Sequence, residues 1–294
     1  MKHIFIVNPT SAQGKAKMMV PAIEQCCKEA KLDYQIVITK KPKEAISIAR
    51  FFGKNQDHVL YSVGGDGTLL EVVNGLVGGN GYLSVIPAGS GNDFYRMMKQ
   101  EERPIHKIDI GKVNDTYFLN SASIGLDAEV ANNITKMKQL SIPSSLVYKA
   151  SILYSYFHYH PITITHDIEN QLQKQDVTIF TVCNGKFYGG GFPIAPHAQI
   201  DDGMFDIYLA DALTKVQIPG LLYKLTKGMH ETSSKVHKYQ SDHISIQTKD
   251  LVVCNVDGEI IRGNSFRFQL FPRQLTYCEG HPKMKQLIKE KLSK

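Results

Sequence analysis

The chain has 294 residues, a net charge of +6 at neutral pH and 43% hydrophobic residues, enough for one large or two ordinary domains with cores of their own. The excess charge is not arranged for nucleic acid, because no basic stripe with interleaved aromatics occurs and tryptophan is absent. A membrane-spanning helix is excluded too: it needs about 20 apolar residues, and the nearest run, Ser144 to Ile164, is broken by Lys149, His158, His160 and Pro161.

From residue 3 to about 112 strand-like and helix-like segments alternate. Short apolar or β-branched runs at Ile4–Val7, Tyr34–Ile38, Val59–Val63 and Leu83–Ile86 predict strands. Lys15–Lys31, Pro42–Phe52, Thr68–Gly75 and Phe94–Gln100 predict the helices between and after them. Such alternation implies a parallel sheet covered on both faces. The chain opens on a strand, which predicts no signal peptide.

Three polar loops follow strands in this half. The first is Asn8-Pro9-Thr10-Ser11-Ala12-Gln13-Gly14, the second Gly64-Gly65-Asp66-Gly67-Thr68, the third Pro87-Ala88-Gly89-Ser90-Gly91-Asn92-Asp93. Glycines between a strand and a helix let backbone N–H groups approach phosphate at the positive end of the helix dipole. In open α/β sheets, ligands bind at the carboxyl ends of strands. Asp66 would repel a bare phosphate. Its presence suits accompanying Mg²⁺ or activation of a hydroxyl, so Asp66→Ala is expected to abolish phosphoryl transfer with little loss of stability. No loop is a P-loop with a Gly-Lys-Ser/Thr end, and none is a dinucleotide fingerprint.

From about residue 116 the character changes. A helix-rich insert, Ala128 to Tyr159, is followed by strand-like runs at Ile162–His166, Val177–Asn184, Met204–Ala210, His243–Thr248, Leu251–Val256 and Ser265–Phe271, with one helix at Lys215–Lys227. This predicts an antiparallel second domain, a sandwich. Asp201, Asp202 and Asp206 place three carboxylates within six residues, without the remaining EF-hand ligands. Asp257-Gly258 reads as a hairpin turn, beside Glu259. Gly189-Gly190-Gly191, flanked by Phe187, Tyr188 and Phe192, reads either as an ordinary loop or as an opening for an acyl chain. His158 and His160 have no metal-partner spacing.

The five cysteines form no C-x-x-C and no zinc spacing, so they read as reduced, mostly buried thiols of a cytoplasmic protein. From His281 to Lys294 there are five lysines and one glutamate, with Met284, Leu287, Ile288 and Leu292 at helical spacing. That predicts a basic amphipathic helix, either docked on the sheet or drawn to an anionic membrane surface.

With NPTSAQGK at the start, GGDGTLLEVVNG, IPAGSGNDF, DDGMFD at 201–206 and VDGE at 256–259, the chain resembles the diacylglycerol kinase-like family, above all its soluble bacterial lipid kinases. Order and spacing match along nearly the whole chain. Leu70 is a departure, since the family usually carries Asn before the Glu. The resemblance implies an N-terminal domain, 1–118, with a parallel nucleotide-binding sheet like that of NAD kinases and phosphofructokinases. It implies a β-sandwich lipid-substrate domain, 119–278, and a final helix, 279–294, that returns to the first domain.

The activity implied is transfer of the γ-phosphoryl of Mg-ATP to a diacylglycerol-like lipid at a membrane surface, in a cleft between the domains. The implied ATP site is Asn8, Pro9, Thr10, Ser11, Ala12, Thr39, Gly65, Asp66, Gly67, Thr68, Leu69, Leu70, Glu71 and Ser90. Glu259 is the implied general base, with Asp66 sharing or orienting that role. Asp202 and the carbonyls of Gln199 and Met204 are the implied ligands of a structural Mg²⁺. Asp109 is implied in the same polar network, or else is a solvent-facing strand carboxylate. A homodimer is compatible with the family. Two rival readings are an NAD kinase-like or other small-molecule kinase and a nucleotide-binding regulator without catalysis.

Overall fold

The computed structural model describes residues 1–100, 105–140, 143–168 and 170–292. In chain order they form β1 (Lys2–Val7), α1 (Lys15–Met18), α2 (Val20–Glu29), β2 (Tyr34–Ile38), α3 (Glu44–Phe52), β3 (His58–Gly64), α4 (Asp66–Leu76), β4 (Tyr82–Pro87), α5 (Asp93–Met98) and β5 (Ile105–Val113). Next come β6 (Thr116–Phe118), β7 (Ser121–Gly125), α6 (Leu126–Gln139), α7 (Ser144–Phe157), β8 (Ile162–Ile168), β9 (Gln171–Cys183) and β10 (Phe205–Asp211). The rest is α8 (Ile218–Thr226), β11 (Val236–Ser241), β12 (His243–Val256), β13 (Glu259–Cys278) and α9 (Pro282–Leu292). Residues 141–142 of the predicted helical insert and 293–294 of the predicted tail lie outside the described residues. The chain divides into two compact units, Met1–Ile110 with Pro272–Lys294, and Gly111–Phe271.

In the first unit the strands run β2-β1-β3-β4, and each neighbouring pair is parallel. The end of β13 adds a further parallel pairing, Thr276 with Tyr82 and Tyr277 with Leu83. Registers Val7↔Ile38, Val7↔Val63 and Val63↔Ile86 align the strand ends, so the loops leave the sheet along one edge. One face carries Phe5, Val7, Tyr61 and Val63 and is covered by Ile23 and Cys27 of α2 and by Met284 and Ile288 of α9. Burying Met284 and Ile288 contributes about 1.5–3 kcal/mol each. On α4, a Cβ at Gly75 would stand 2.2 Å from the Ile46 carbonyl oxygen of α3, so glycine permits that close packing.

The predicted helix over Lys15–Lys31 is interrupted. Pro21, at the start of α2, has no N–H to bond the Lys17 carbonyl, and the chain turns at Met19. The helix predicted from Pro42 begins two residues later, because Lys43 takes a left-handed conformation at φ 64°.

In the second unit the strands pair antiparallel in the order β11-β10-β9-β7-β12-β13. β8 joins the outer halves of β9 and β12, while β7 joins their inner halves. The two segments predicted as separate strands, His243–Thr248 and Leu251–Val256, are the halves of one strand with a register shift between Gln247 and Val252. α6 and α7 pack together through small polar groups: Ser151 Oγ donates to the Val130 carbonyl, and Asn133 Nδ2 to Ser155 Oγ at 2.9 Å.

Candidate active site

The three polar loops of the first unit interlock at the carboxyl edge of its sheet. Strand order reverses between β1 and β3, and at that switch point Asn8 Nδ2 donates to Thr68 Oγ1 at 3.1 Å. Ser11 Oγ lies 3.2 Å from the same hydroxyl. Asn8 Oδ1 in turn accepts from the Thr10 N–H and hydroxyl. Ala12 and Gln13 carry φ of 47° and 58°, so the first loop coils left-handed before α1. Thr39 N–H donates to the Val7 carbonyl, which ties the end of β2 to the same edge. Gly65 and Gly89 bring the second and third loops into contact, since a Cβ on Gly89 would stand 2.5 Å from Gly65 Cα. Asn92 closes the third loop on itself, accepting from the Gly89 N–H and donating to the Gly89 carbonyl at 2.7 Å.

Asp66 opens α4 and has an engaged carboxylate. Its Oδ2 accepts the Asn92 N–H at 2.7 Å and its Oδ1 the Asp93 N–H at 2.9 Å. Burial raises its pKa, and these two N–H groups oppose the rise. The expectation that Asp66 stands apart from the packing is therefore corrected: it clamps the third loop to the second. Glu71 is engaged likewise, accepting from the N–H groups of Lys43 and Ala45 at the start of α3. Leu69 and Leu70 are buried at 4% and 2% exposure, which leaves only their main chain available to a ligand. Gly67 and Ser90 are exposed, and the space where a Cβ of Gly67 would stand is open. An eleven-residue helix, α4, begins there. Glycine-lined, N–H-rich and open, this edge suits a polyphosphate.

In the second unit Asp257 and Gly258 form the two-residue turn between β12 and β13, both with positive φ, 46° and 93°. Three backbone N–H groups, those of Leu119, Asn120 and Ser121, donate to the Asp257 carboxylate at 2.6–3.2 Å. Asn184 Nδ2 donates to the Leu119 carbonyl at 2.8 Å and fastens the same segment to the end of β9. This anchored turn holds Glu259, paired with Val256 and half-buried. Among the described residues no hydrogen bond or ion pair engages the Glu259 side chain.

The three carboxylates at 201–206 do not converge. Asp202 accepts the Met204 N–H at 3.0 Å across Gly203, which has φ 78°. Asp206 points to Lys238, 3.0 Å away. Among the described residues no group of three His, Cys, Asp or Glu side chains is placed to hold a metal. One exposed carboxylate with the carbonyls of Gln199 and Met204 is still an all-oxygen donor set, the kind hard cations take. Asp109 is fully buried, not solvent-facing, and accepts the Arg273 N–H at 2.7 Å. The glycine run is a tight turn closed by paired bonds between Tyr188 and Phe192, and Gly189, Gly190 and Gly191 all have positive φ. His158 and His160 bond backbone carbonyls through Nδ1.

One group stands outside the sequence reading. Both carboxylate oxygens of Asp127, in the first turn of α6, are sealed from solvent. Burial pushes the group up to about 6, with the Ser123 hydroxyl and the Ala128 N–H opposing. The five cysteines are buried and form no disulfide, and burial pushes Cys27 up to about 12.

Two family models cover the chain: the diacylglycerol kinase catalytic domain over residues 2–116, and the YegS C-terminal NAD kinase beta sandwich-like domain over 120–278. The YtlR protein of Bacillus subtilis (strain 168), whose name places it among lipid kinases, is 30% identical over 94% of this chain and 99% of its own. The chain belongs to the diacylglycerol kinase-like family. A diacylglycerol kinase of Staphylococcus saprophyticus is 28% identical over 86% of this chain and 87% of its own. A crystal structure from Bacillus anthracis str. Sterne, described as a diacylglycerol kinase, shares the fold with a TM-score of 0.76 at 24% identity, covering 96% of each chain.

Proposed function

We propose that this protein is an ATP-dependent lipid kinase that transfers the γ-phosphoryl group of Mg-ATP to a hydroxyl of a diacylglycerol-like lipid. The supporting observation is a contrast among the motif carboxylates. Asp66, Glu71 and Asp257 are engaged by backbone N–H groups, while Glu259 sits on an anchored turn with its carboxylate unengaged among the described residues. An unengaged carboxylate on an anchored backbone suits a general base, which must receive a proton from the attacking hydroxyl. The base-bearing VDGE turn and the long β-rich unit favour this reading over an NAD kinase-like one.

In this reading the first unit binds the nucleotide. Backbone N–H groups of Gly65, Gly67 and Thr68 meet phosphate oxygens, with Asn8, Pro9, Thr10, Ser11, Ala12, Thr39 and Ser90 around them and Leu69 and Leu70 acting only through main chain. Asp66 holds the third loop in place and has lone pairs left for a hydrated Mg²⁺, which when bound neutralises phosphate charge. Glu71 fixes the start of α3. Glu259 takes the proton of the lipid hydroxyl, and Asp202 with the Gln199 and Met204 carbonyls holds a structural cation.

The deciding experiment incubates the folded protein with labelled ATP and fractionated lipid extract. Label in a lipid, lost in Glu259→Gln, supports the reading. ATP binding with no labelled lipid in any fraction would leave a nucleotide-binding regulator instead.

A further inference from the structure

Leu119 and Asn120 lie between β6 and β7, in no strand, and Ser121 opens β7. All three are buried, so each main-chain polar group they carry needs a partner. Partners come from two sides. On one side the Asp257 carboxylate takes the three N–H groups, and the Asp257 N–H donates to the Ser121 carbonyl at 3.0 Å. On the other side the remaining two carbonyls turn to the end of β9. The Asn120 carbonyl accepts the N–H groups of Asn184 and Gly185, both at 2.8 Å, and the Leu119 carbonyl accepts Asn184 Nδ2 at 2.8 Å.

Asn184 therefore grips the segment with main chain and side chain together, and it is itself buried. Beside it a Cβ on Gly185 would stand 3.0 Å from Asn120 Oδ1 and 3.1 Å from Asn120 Cα, so β9 approaches the segment closely. Residues 119–121 form a wedge between β9 and the Asp257 turn. A shift of the wedge on the β9 side moves the N–H groups that hold Asp257, and Glu259 follows two residues later in the same turn.

We propose that Asn184 is a positioning residue for Glu259, holding the backbone that carries the base through Leu119, Asn120 and Asp257. The residue type fits the task. A carboxamide donates an N–H to a buried carbonyl without bringing a charge, whereas an aspartate would set a carboxylate against that carbonyl. The role rests on the general-base reading of Glu259. Misplacing a reacting group by about 1 Å costs on the order of 10²-fold in rate. The loss should fall on kcat and spare ATP binding, because the nucleotide loops belong to the first unit.

The test combines steady-state kinetics, on the lipid fraction that the wild type labels, with hydrogen exchange of the 119–121 amides. Well below its melting temperature, Asn184→Ala should lower kcat by about 10- to 10²-fold with the KM for ATP unchanged. In a Glu259→Gln background the same substitution should lower kcat no further. Gly185→Ala keeps the hydrogen bonds but crowds Asn120, so it should give a smaller fall in the same direction. Ser155→Ala, which removes one buried hydrogen bond between α6 and α7, controls for lost stability and should leave kcat unchanged. The amides of Leu119, Asn120 and Ser121 should exchange faster in Asn184→Ala than in the wild type. Wild-type kcat in Asn184→Ala, a loss that multiplies with that of Glu259→Gln, or unchanged exchange at 119–121 each overturns the proposal and leaves the base reading standing. A fall in Asn184→Ala with none in Glu259→Gln instead sinks the base reading, and the positioning role with it.

Discussion

Asp66→Ala should cost stability as well as activity, and the amount follows from its two hydrogen bonds. The carboxylate receives the Asn92 N–H at 2.7 Å and the Asp93 N–H at 2.9 Å, short distances for charge-assisted bonds. Bonds to charged groups contribute about 1.5–3 kcal/mol each. Burial of the carboxylate, which raises its pKa, offsets part of this. A net loss of about 2–4 kcal/mol is expected, or roughly 5–15 °C in melting temperature for a chain of this size. Asp66→Asn keeps one acceptor oxygen and turns an amide NH₂ toward the other N–H, so it should fall between the wild type and Asp66→Ala. Melting by circular dichroism without nucleotide isolates this structural part, because no ligand contributes. If Asp66→Ala melts with the wild type, the clamp carries no stability and Asp66 acts only on nucleotide and metal.

Four further outcomes are expected. Glu259→Gln should leave melting and the KM for ATP nearly unchanged and reduce kcat by about 10²- to 10⁴-fold; an unchanged kcat with a raised lipid KM would make Glu259 a positioning residue. Asp257→Ala strips the acceptor from three N–H groups, so it should lower melting temperature and kcat together, and a variant that melts like the wild type would remove the anchor. Asp202→Asn should reduce the rise in melting temperature that Mg²⁺ gives, whereas equal Mg²⁺ shifts in variant and wild type would count against a cation at 199–204. Asp127, ordinarily near 3.8 and about 6 when folded, contributes stability below about pH 4 that is lost as pH rises through about 6. Asp127→Asn should therefore gain stability at pH 8, by at most about 3 kcal/mol, and none at pH 4; an equal gain at both would place the effect elsewhere.

Much of the first unit is legible in its sequence, because each buried strand is a short apolar run ended by turn residues. Tyr34–Ile38 is predicted and observed with the same ends, and β1, β3 and β4 differ from prediction by one or two residues at their ends. The second unit is harder to read. β7, Ser121–Gly125, is fully buried yet built from SASIG, whose small residues give neither alternation nor β-branched weight. β11, VHKYQS, has an edge strand's mixed exposure and was equally hidden. β13 runs twenty residues, through Arg262, Gly263, Asn264 and Pro272, where composition alone argues for a break.

The motif carboxylates show why site roles are less legible than site positions. Asp66, Glu71 and Asp257 all sit in motifs that announce phosphate or proton chemistry, and any of them could be assigned to it from residue type. Their partners lie 26, 28 and 138 residues away in sequence, at Asn92, Lys43 and Leu119. No periodicity links such distances; only the folding of each unit does. Once the partners are known, the same chemistry that makes a carboxylate a candidate ligand explains its other use, since an ionised acid is the strongest acceptor available for N–H groups at a loop or helix start. The glycines that let a backbone approach phosphate also leave the loops with few side chains to hold them. An acid on the neighbouring loop or turn supplies the missing restraint. Pre-organisation of this kind keeps binding N–H groups in place before a ligand arrives. Substituting these anchoring acids should therefore disturb melting and catalysis together, and only the unengaged Glu259 should separate the two.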